Sequence, residues 1–136
     1  MTGYRALLDN AHENVARWIN KNSKQNARIA IMGDPGLIGF RTRRPAVDFG
    51  ALNDNYLSGG KRTPREIADY FFSQPFETAV ANSFSWEELR GHPDTMVVAR
   101  DPRFHCFDLI EKYRPHTGQN YFVFLYQRRP DCDESL

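Results

Sequence analysis

The sequence predicts an α+β domain, a mainly antiparallel sheet of about five strands with two or three helices packed on one side. Three observations carry that expectation. Residues 4–19 repeat apolar side chains at steps of three and four. The middle of the chain holds two Ser/Thr-x-x-Glu helix starts. The last third alternates short β-rich runs with Pro/Gly turns at hairpin spacing.

The elements follow in order. Tyr4, Leu7, Leu8, Ala11, Val15, Trp18 and Ile19 line one face of a helix, with Arg5, Asp9, Glu13, Arg17 and Lys21 on its other faces. Thr2 is placed to cap its start, and the run from Asn20 to Asn26 ends it with turn-forming residues. Arg28–Met32 and Leu37–Arg43 flank Gly33-Asp34-Pro35-Gly36, which predicts a hairpin. Arg44–Lys61 has no period and many turn formers, yet Val47, Phe49, Leu52, Tyr56 and Leu57 predict a loop that packs down. Thr63-Pro64-Arg65-Glu66 combines a cap, a proline at the first helical position and a capping-box glutamate, and Pro75 stops the helix. Phe76–Asn82 is ambiguous, with partial helix expected. Ser85-Trp86-Glu87-Glu88 predicts a further helix, ended by Gly91. Strands are expected at Thr95–Arg100, Phe104–Tyr113 and Tyr121–Arg128. The last is apolar on both faces, which predicts an interior position in the sheet.

Length and composition bound the function. The chain has 136 residues, 40% hydrophobic and 26% charged, the range of one globular domain. Residues 1–130 are expected to form it, with 131–136 as a mobile acidic tail. Arg5, Asp9 and Glu13 interrupt any apolar run near the N-terminus, so no secretory leader is expected. Eighteen bases against seventeen acids give a net charge of +1, and the pI of 7.8 falls short of the strongly basic range of nucleic-acid binders. The two cysteines, Cys106 and Cys132, do not make a disulfide framework. Free thiols are expected, Cys106 as a small hydrophobe among phenylalanines and Cys132 made less reactive by its acidic neighbours, in a reducing, cytoplasmic setting.

Specific chemistries find little support. His12, His92, His105 and His116 lack metal-site spacing, so no metal and no cofactor is expected. There is no Gly-x-Ser-x-Gly elbow and no Walker-type loop, and Ser58-Gly59-Gly60-Lys61 amounts to a weak anion nest. Adjacent strand residues such as His105 and Cys106 point to opposite faces, so they are not expected to pair. His105, Asp108 and Tyr56 are the candidates for a small-ligand enzyme, and no catalytic set emerges from them.

The remaining signal is arginine, with 14 of the 18 cations. Arg41, Arg43 and Arg44 end one expected strand, and Arg128 and Arg129 end the last. If these meet beside Tyr113 and Tyr126, they form an exposed Arg/aromatic patch, the composition of protein hot spots and of single-stranded nucleic-acid sites. The expected function is a non-catalytic binding or regulatory protein docking on a macromolecule, such as an inhibitor carried by a phage or mobile element. A protein partner is favoured over nucleic acid, and no membrane is involved. The alternative is a nucleic-acid binder or small ribonuclease using the same arginines.

Overall fold

The computed structural model describes residues 3–33, 42–49, 63–114 and 121–134; for residues 3–12 and 48 it describes the backbone alone. Helix α1 (Gly3–Asn22) leads into strand β1 (Arg28–Met32), followed by the short β2 (Ala46–Asp48). Helix α2 (Pro64–Ser73), β3 (Phe76–Ser83) and α3 (Pro93–Arg100) come next. A 3-10 turn (Pro102–Cys106) then runs directly into β4 (Phe107–Tyr113), and β5 (Phe122–Arg128) closes the sheet. The strand order is β2-β1-β3-β5-β4. β1 is parallel to β2 and to β3, whereas β5 is antiparallel to β3 and to β4.

The α+β class holds, but the sheet is mixed rather than mainly antiparallel. The helices also cover both faces rather than one. On one face Val15 and Ile19 of α1 pack with Ile29, Ile31, Val80, Val123 and Leu125. On the other, Ile67 and Phe71 of α2, Val98 of α3 and Phe104 pack over Ala30, Met32, Ala79, Ala81, Phe124 and Tyr126. Period-two alternation divides each strand between these two cores.

The second core is built from rings over small residues. Phe71 is its hub, with ring centroids 5.2 Å from Phe49, 5.2 Å from Phe76 and 5.9 Å from Phe107. Phe104 stacks on Phe107 and meets Tyr126 edge-on, both at 5.0 Å. Ala30, Ala79 and Ala81 lie beneath, fully buried. Large rings fit there because β1 and β3 carry only methyl groups at these three positions.

Several expectations change. β1 has β2 on one side and β3 on the other, so no sheet edge is left for a hairpin partner; 34–41 lies outside the described residues. Phe76–Ser83 is a strand throughout, buried on both faces. Ser85–Glu88 is not helical, and Ser85 Oγ donates to Glu87 Oε2 instead of capping. Thr95–Arg100 is helix, started by Pro93, despite its β-branched residues. The Thr63 capping box is present, with Glu66 N donating to Thr63 Oγ1 (3.1 Å) and Thr63 N to Glu66 Oε1 (3.2 Å).

The loop from β3 to α3 is organised by Ser83, which has no solvent exposure. Its Oγ lies 2.7 Å from Ser85 O and 3.1 Å from Glu88 O, and accepts from Ser85 N and Arg90 N. Phe84 N donates to Arg90 O (2.8 Å), so the loop doubles back on itself. Gly91 closes it, since a Cβ there would stand 2.9 Å from Asn82 O and 3.1 Å from Thr95 Cγ2. The glycine is needed for this close approach rather than as a helix stop.

Two outcomes are expected. Ala79→Leu should overpack the ring layer and lower stability by roughly 1–3 kcal/mol, read as a lower denaturant midpoint. Ser83→Ala should destabilise by roughly 1–3 kcal/mol, because buried backbone groups of the loop lose their partner. Amide exchange should then accelerate at Arg90 before it does in β3.

Candidate functional site

The sequence-predicted site residues separate into two groups. Arg41 and Tyr56 lie outside the described residues. Arg43 is exposed, with its backbone N–H donating to Asn20 Oδ1 (2.8 Å). Arg44 is committed to the C-terminus of α1, where its Nη2 donates to Asn20 O and to Ser23 O, both at 2.8 Å. These are carbonyls that a helix end leaves unpaired and that favour a cation. Arg128 Nη2 donates to Cys132 O (3.2 Å) and faces Glu134 at 3.5 Å. Arg129 pairs with Asp108 at 2.9 Å. The strand directions put the Arg43–Arg44 and Arg128–Arg129 pairs at the same end of the sheet, but β1 and β3 stand between them, roughly 14 Å at ordinary strand spacing.

The aromatic members are largely covered by other described residues. Tyr126 is 8% exposed, inside the ring layer, and burial pushes its hydroxyl up to about 12. Tyr113 is half-buried against the α1-side core, and burial, aided by Glu111, raises its hydroxyl above the ordinary value.

Two other places have the shape of sites. The first is a pair of clefts flanking α3. One, of about 850 Å³, lies between the 88–91 loop, α3 and β4, with Leu89, Met96, Ala99, Phe104 and Leu109 as its apolar lining. The other, of about 1150 Å³, lies between α2 and α3. Met96 and Arg100, one helical turn apart, border both. Arg100 is exposed and has no ion-pair partner among the described residues. Arg90 is tied to Glu88, its Nε donating to Oε1 at 2.8 Å.

The far side of the 850 Å³ cleft is the edge strand β4. There Leu109 is 43% and Ile110 40% exposed, and the pairing with β5 shifts register between Leu109 and Glu111. Such a bulge blunts an open edge against indiscriminate strand pairing.

The cleft between α2 and α3 is bordered by a polar staple. Asp101 Oδ1 accepts from Arg103 N and from Arg103 Nε, both at 2.9 Å, and so caps the 3-10 turn. Arg103 reaches across to Asp69 of α2 (2.8 Å) and lies 4.6 Å over the Phe72 ring. On the opposite side Lys112 and Arg114 bracket Trp86, at 5.3 and 4.6 Å from its ring centroid, and Lys112 Nζ donates to Trp86 O (2.6 Å). The loop carrying the cleft wall is thereby pinned to β4.

The second place is a sulfur centre. Cys106 and Cys132 form a disulfide with a Cα–Cα distance of 5.5 Å, contrary to the expected free thiols. Arg129 N donates to Cys106 O (2.8 Å) and Cys132 N to Arg129 O (3.2 Å), so the chain turns after β5 and returns Cys132 to the start of β4. His105 lies in the 3-10 turn, not on a strand, so its ring is not directed away from Cys106. Its Nε2 is 3.7 Å from Cys106 Sγ and its Nδ1 3.7 Å from Cys132 Sγ. Arg129 Nη2 donates to His105 O (2.8 Å) and approaches Cys132 Sγ at 3.6 Å. The donor atoms of His105, Cys106 and Cys132 lie within 4.8 Å of one another. With the sulfurs joined, neither offers a thiolate to a cation. Adjacent residues in a strand diverge, whereas in a tight turn they do not, and that is why sequence reasoning missed this cluster.

The Arg103 hydrogen bonds hold the Asp101 carboxyl below its ordinary value of 3.8, against the upward push of burial. Its folded form therefore favours the carboxylate. The associated stability is complete above the ordinary value and is lost as pH falls through the lowered one. Asp101→Asn should lower the thermal midpoint at neutral pH, with the two proteins converging in thermal scans as pH falls through the lowered value.

No helix of the described residues is long and apolar enough to cross a membrane. No curated protein and no solved structure matches the chain. A family model described as "Domain of unknown function (DUF8728)" matches residues 3–129, nearly the full length, and the chain belongs to that family.

Proposed function

We propose that this is a non-catalytic binding or regulatory protein that docks a partner protein along the two clefts beside α3, and that the docked segment is apolar with acidic side chains. The carrying observation is the position of Arg100, an exposed cation without an ion-pair partner among the described residues, at the shared border of both clefts. Apolar residues beside an exposed arginine, within a lining that also carries paired charges, match the composition of protein interfaces. The uncompensated charge selects an acidic complement. Leu109 and Ile110 extend the apolar surface to the sheet edge.

The arginines singled out from sequence support this reading less than the clefts do. Arg44, Arg128 and Arg129 are engaged with the chain's own carbonyls and carboxylates. The same engagement removes support from phosphate binding, which needs cations free to meet a backbone. A phage or mobile-element inhibitor and a cytoplasmic setting remain parts of the proposal. The reasoning from free thiols no longer supports the latter.

The test is a pull-down from nuclease-treated lysate with three proteins: wild type, Arg100→Glu, and Arg17→Glu on the opposite face of the sheet. Circular dichroism confirms that each is folded. Wild type and Arg17→Glu should retain the same protein, and Arg100→Glu should lose it by about tenfold or more, as charge reversal at an interface centre does. Equal retention by Arg100→Glu, or retention of nucleic acid alone, overturns the docking assignment.

A further inference from the structure

We propose that the Cys106–Cys132 pair is a thiol–disulfide exchange centre that takes electrons from an accessible dithiol, with Cys132 as the sulfur attacked and Cys106 as the leaving sulfur. This goes beyond the docking assignment and does not depend on it.

Three features of the centre carry the inference. The first is asymmetry of access. Cys106 has no solvent exposure, whereas Cys132 is partly exposed, so an incoming thiolate reaches only one of the two sulfurs. Exchange proceeds by attack of a thiolate on a disulfide sulfur, so access selects the site of the mixed disulfide.

The second is the disposition of charge. Arg129 stands 3.6 Å from Cys132 Sγ, and its own position is fixed by Asp108 and by His105 O. A cation beside a sulfur favours the thiolate, both as nucleophile and as leaving group. His105 has one ring nitrogen 3.7 Å from each sulfur, so a single imidazole can serve the proton needs of either.

The third is mechanical. Cys132 lies outside the sheet, beyond the end of β5. Once the S–S bond opens, the Arg129 N–Cys106 O hydrogen bond and the two Arg128 contacts still hold the segment in place. The sheet pairings do not involve either sulfur. The reduced thiols therefore remain neighbours, which favours closing the bond again.

The electron count closes. One thiolate of the dithiol attacks Cys132 Sγ and the Cys132–Cys106 bond breaks. Its electron pair leaves on the Cys106 sulfur, which takes a proton through His105. The second thiolate of the dithiol then attacks the dithiol sulfur bound to Cys132, and Cys132 departs as a thiolate beside Arg129. The dithiol loses two electrons and two protons and becomes a disulfide. The cysteine pair gains two electrons; one proton ends on Cys106 and the other on Cys132 or in solvent.

The experiment uses the full chain under native conditions with dithiothreitol, followed by limiting iodoacetamide and peptide mass spectrometry. The pair should open with the far-ultraviolet circular dichroism unchanged, and Cys132 should be alkylated about tenfold faster than Cys106, because its sulfur is the accessible one and stands beside Arg129. Arg129→Gln should slow labelling of Cys132 several-fold, and Arg129→Lys should restore it. Glutathione, with a single thiol, should be trapped on Cys132. The proposal is overturned if the pair opens only after denaturation, if reduction unfolds the protein, or if Cys106 is labelled or glutathionylated first. It is equally overturned if Arg129→Gln leaves the Cys132 labelling rate unchanged.

Discussion

The whole arrangement depends on the middle of β3 carrying only alanine on the face that meets α2 and α3. Ala79 and Ala81 present methyl groups to the layer of helices, and Ala30 of β1 continues that floor. The rings of Phe71, Phe76, Phe104 and Phe107 take up the space above it. On the opposite face of the same strand Val80 packs with the α1-side residues. One strand thus serves two cores of different character, a ring layer and an aliphatic layer. Interiors are packed near crystal density, so the small residues below determine how far the rings can descend. Rings set at that height bring α2 and α3 onto one face and leave clefts along α3.

The positions of the clefts follow from polar contacts made at the ends of these elements. Ser83 ends β3 and turns the chain back through Arg90. Gly91 lets the loop touch the strand it has just left. Asp101 caps the turn after α3, and Arg103 ties that turn to α2 through Asp69 and the Phe72 ring. Each contact uses a backbone group or a charge that would otherwise be left unmet at an element's end. The result is a helix of eight residues, Pro93–Arg100, held between anchored loops, with Arg100 at its final position.

The two places with functional shape lie on different parts of the molecule's chemistry. The clefts combine apolar side chains with charged ones and share Arg100 at their border, which suits recognition. The sulfur centre is small, asymmetric in exposure, and surrounded by His105, Arg129 and Asp108, which suits electron and proton transfer. Phe104 and Phe107 flank His105 and Cys106 in sequence. Phe104 lines the cleft, so the same turn supports both places.

Much of the fold was legible from local patterns. The helical period of α1, the Thr63 capping box with its stopping proline, and the doubly apolar run of β5 each depend on residues near one another in the chain. So does the interior position of β5, because a strand flanked on both sides must be apolar on both faces. The pieces that were misread have local preferences opposed by tertiary packing. Phe76–Ser83 is rich in alanine, a helix former, yet its pairing with β1 and β5 makes it the central strand. Thr95–Arg100 is rich in β-branched residues, yet Pro93 and burial of Val98 make it a helix. The arginine residues themselves were visible, but which of them are occupied depends on carbonyls and carboxylates brought in by other elements. The disulfide depends on the turn that returns Cys132 to the start of β4. By itself the sequence determined the composition, the Thr63 cap and the amphipathic faces, because these are short-range. Strand order, helix placement on two faces and the sulfur centre were decided only in the tertiary structure, because each joins residues whose separation along the chain carries no signal of their contact.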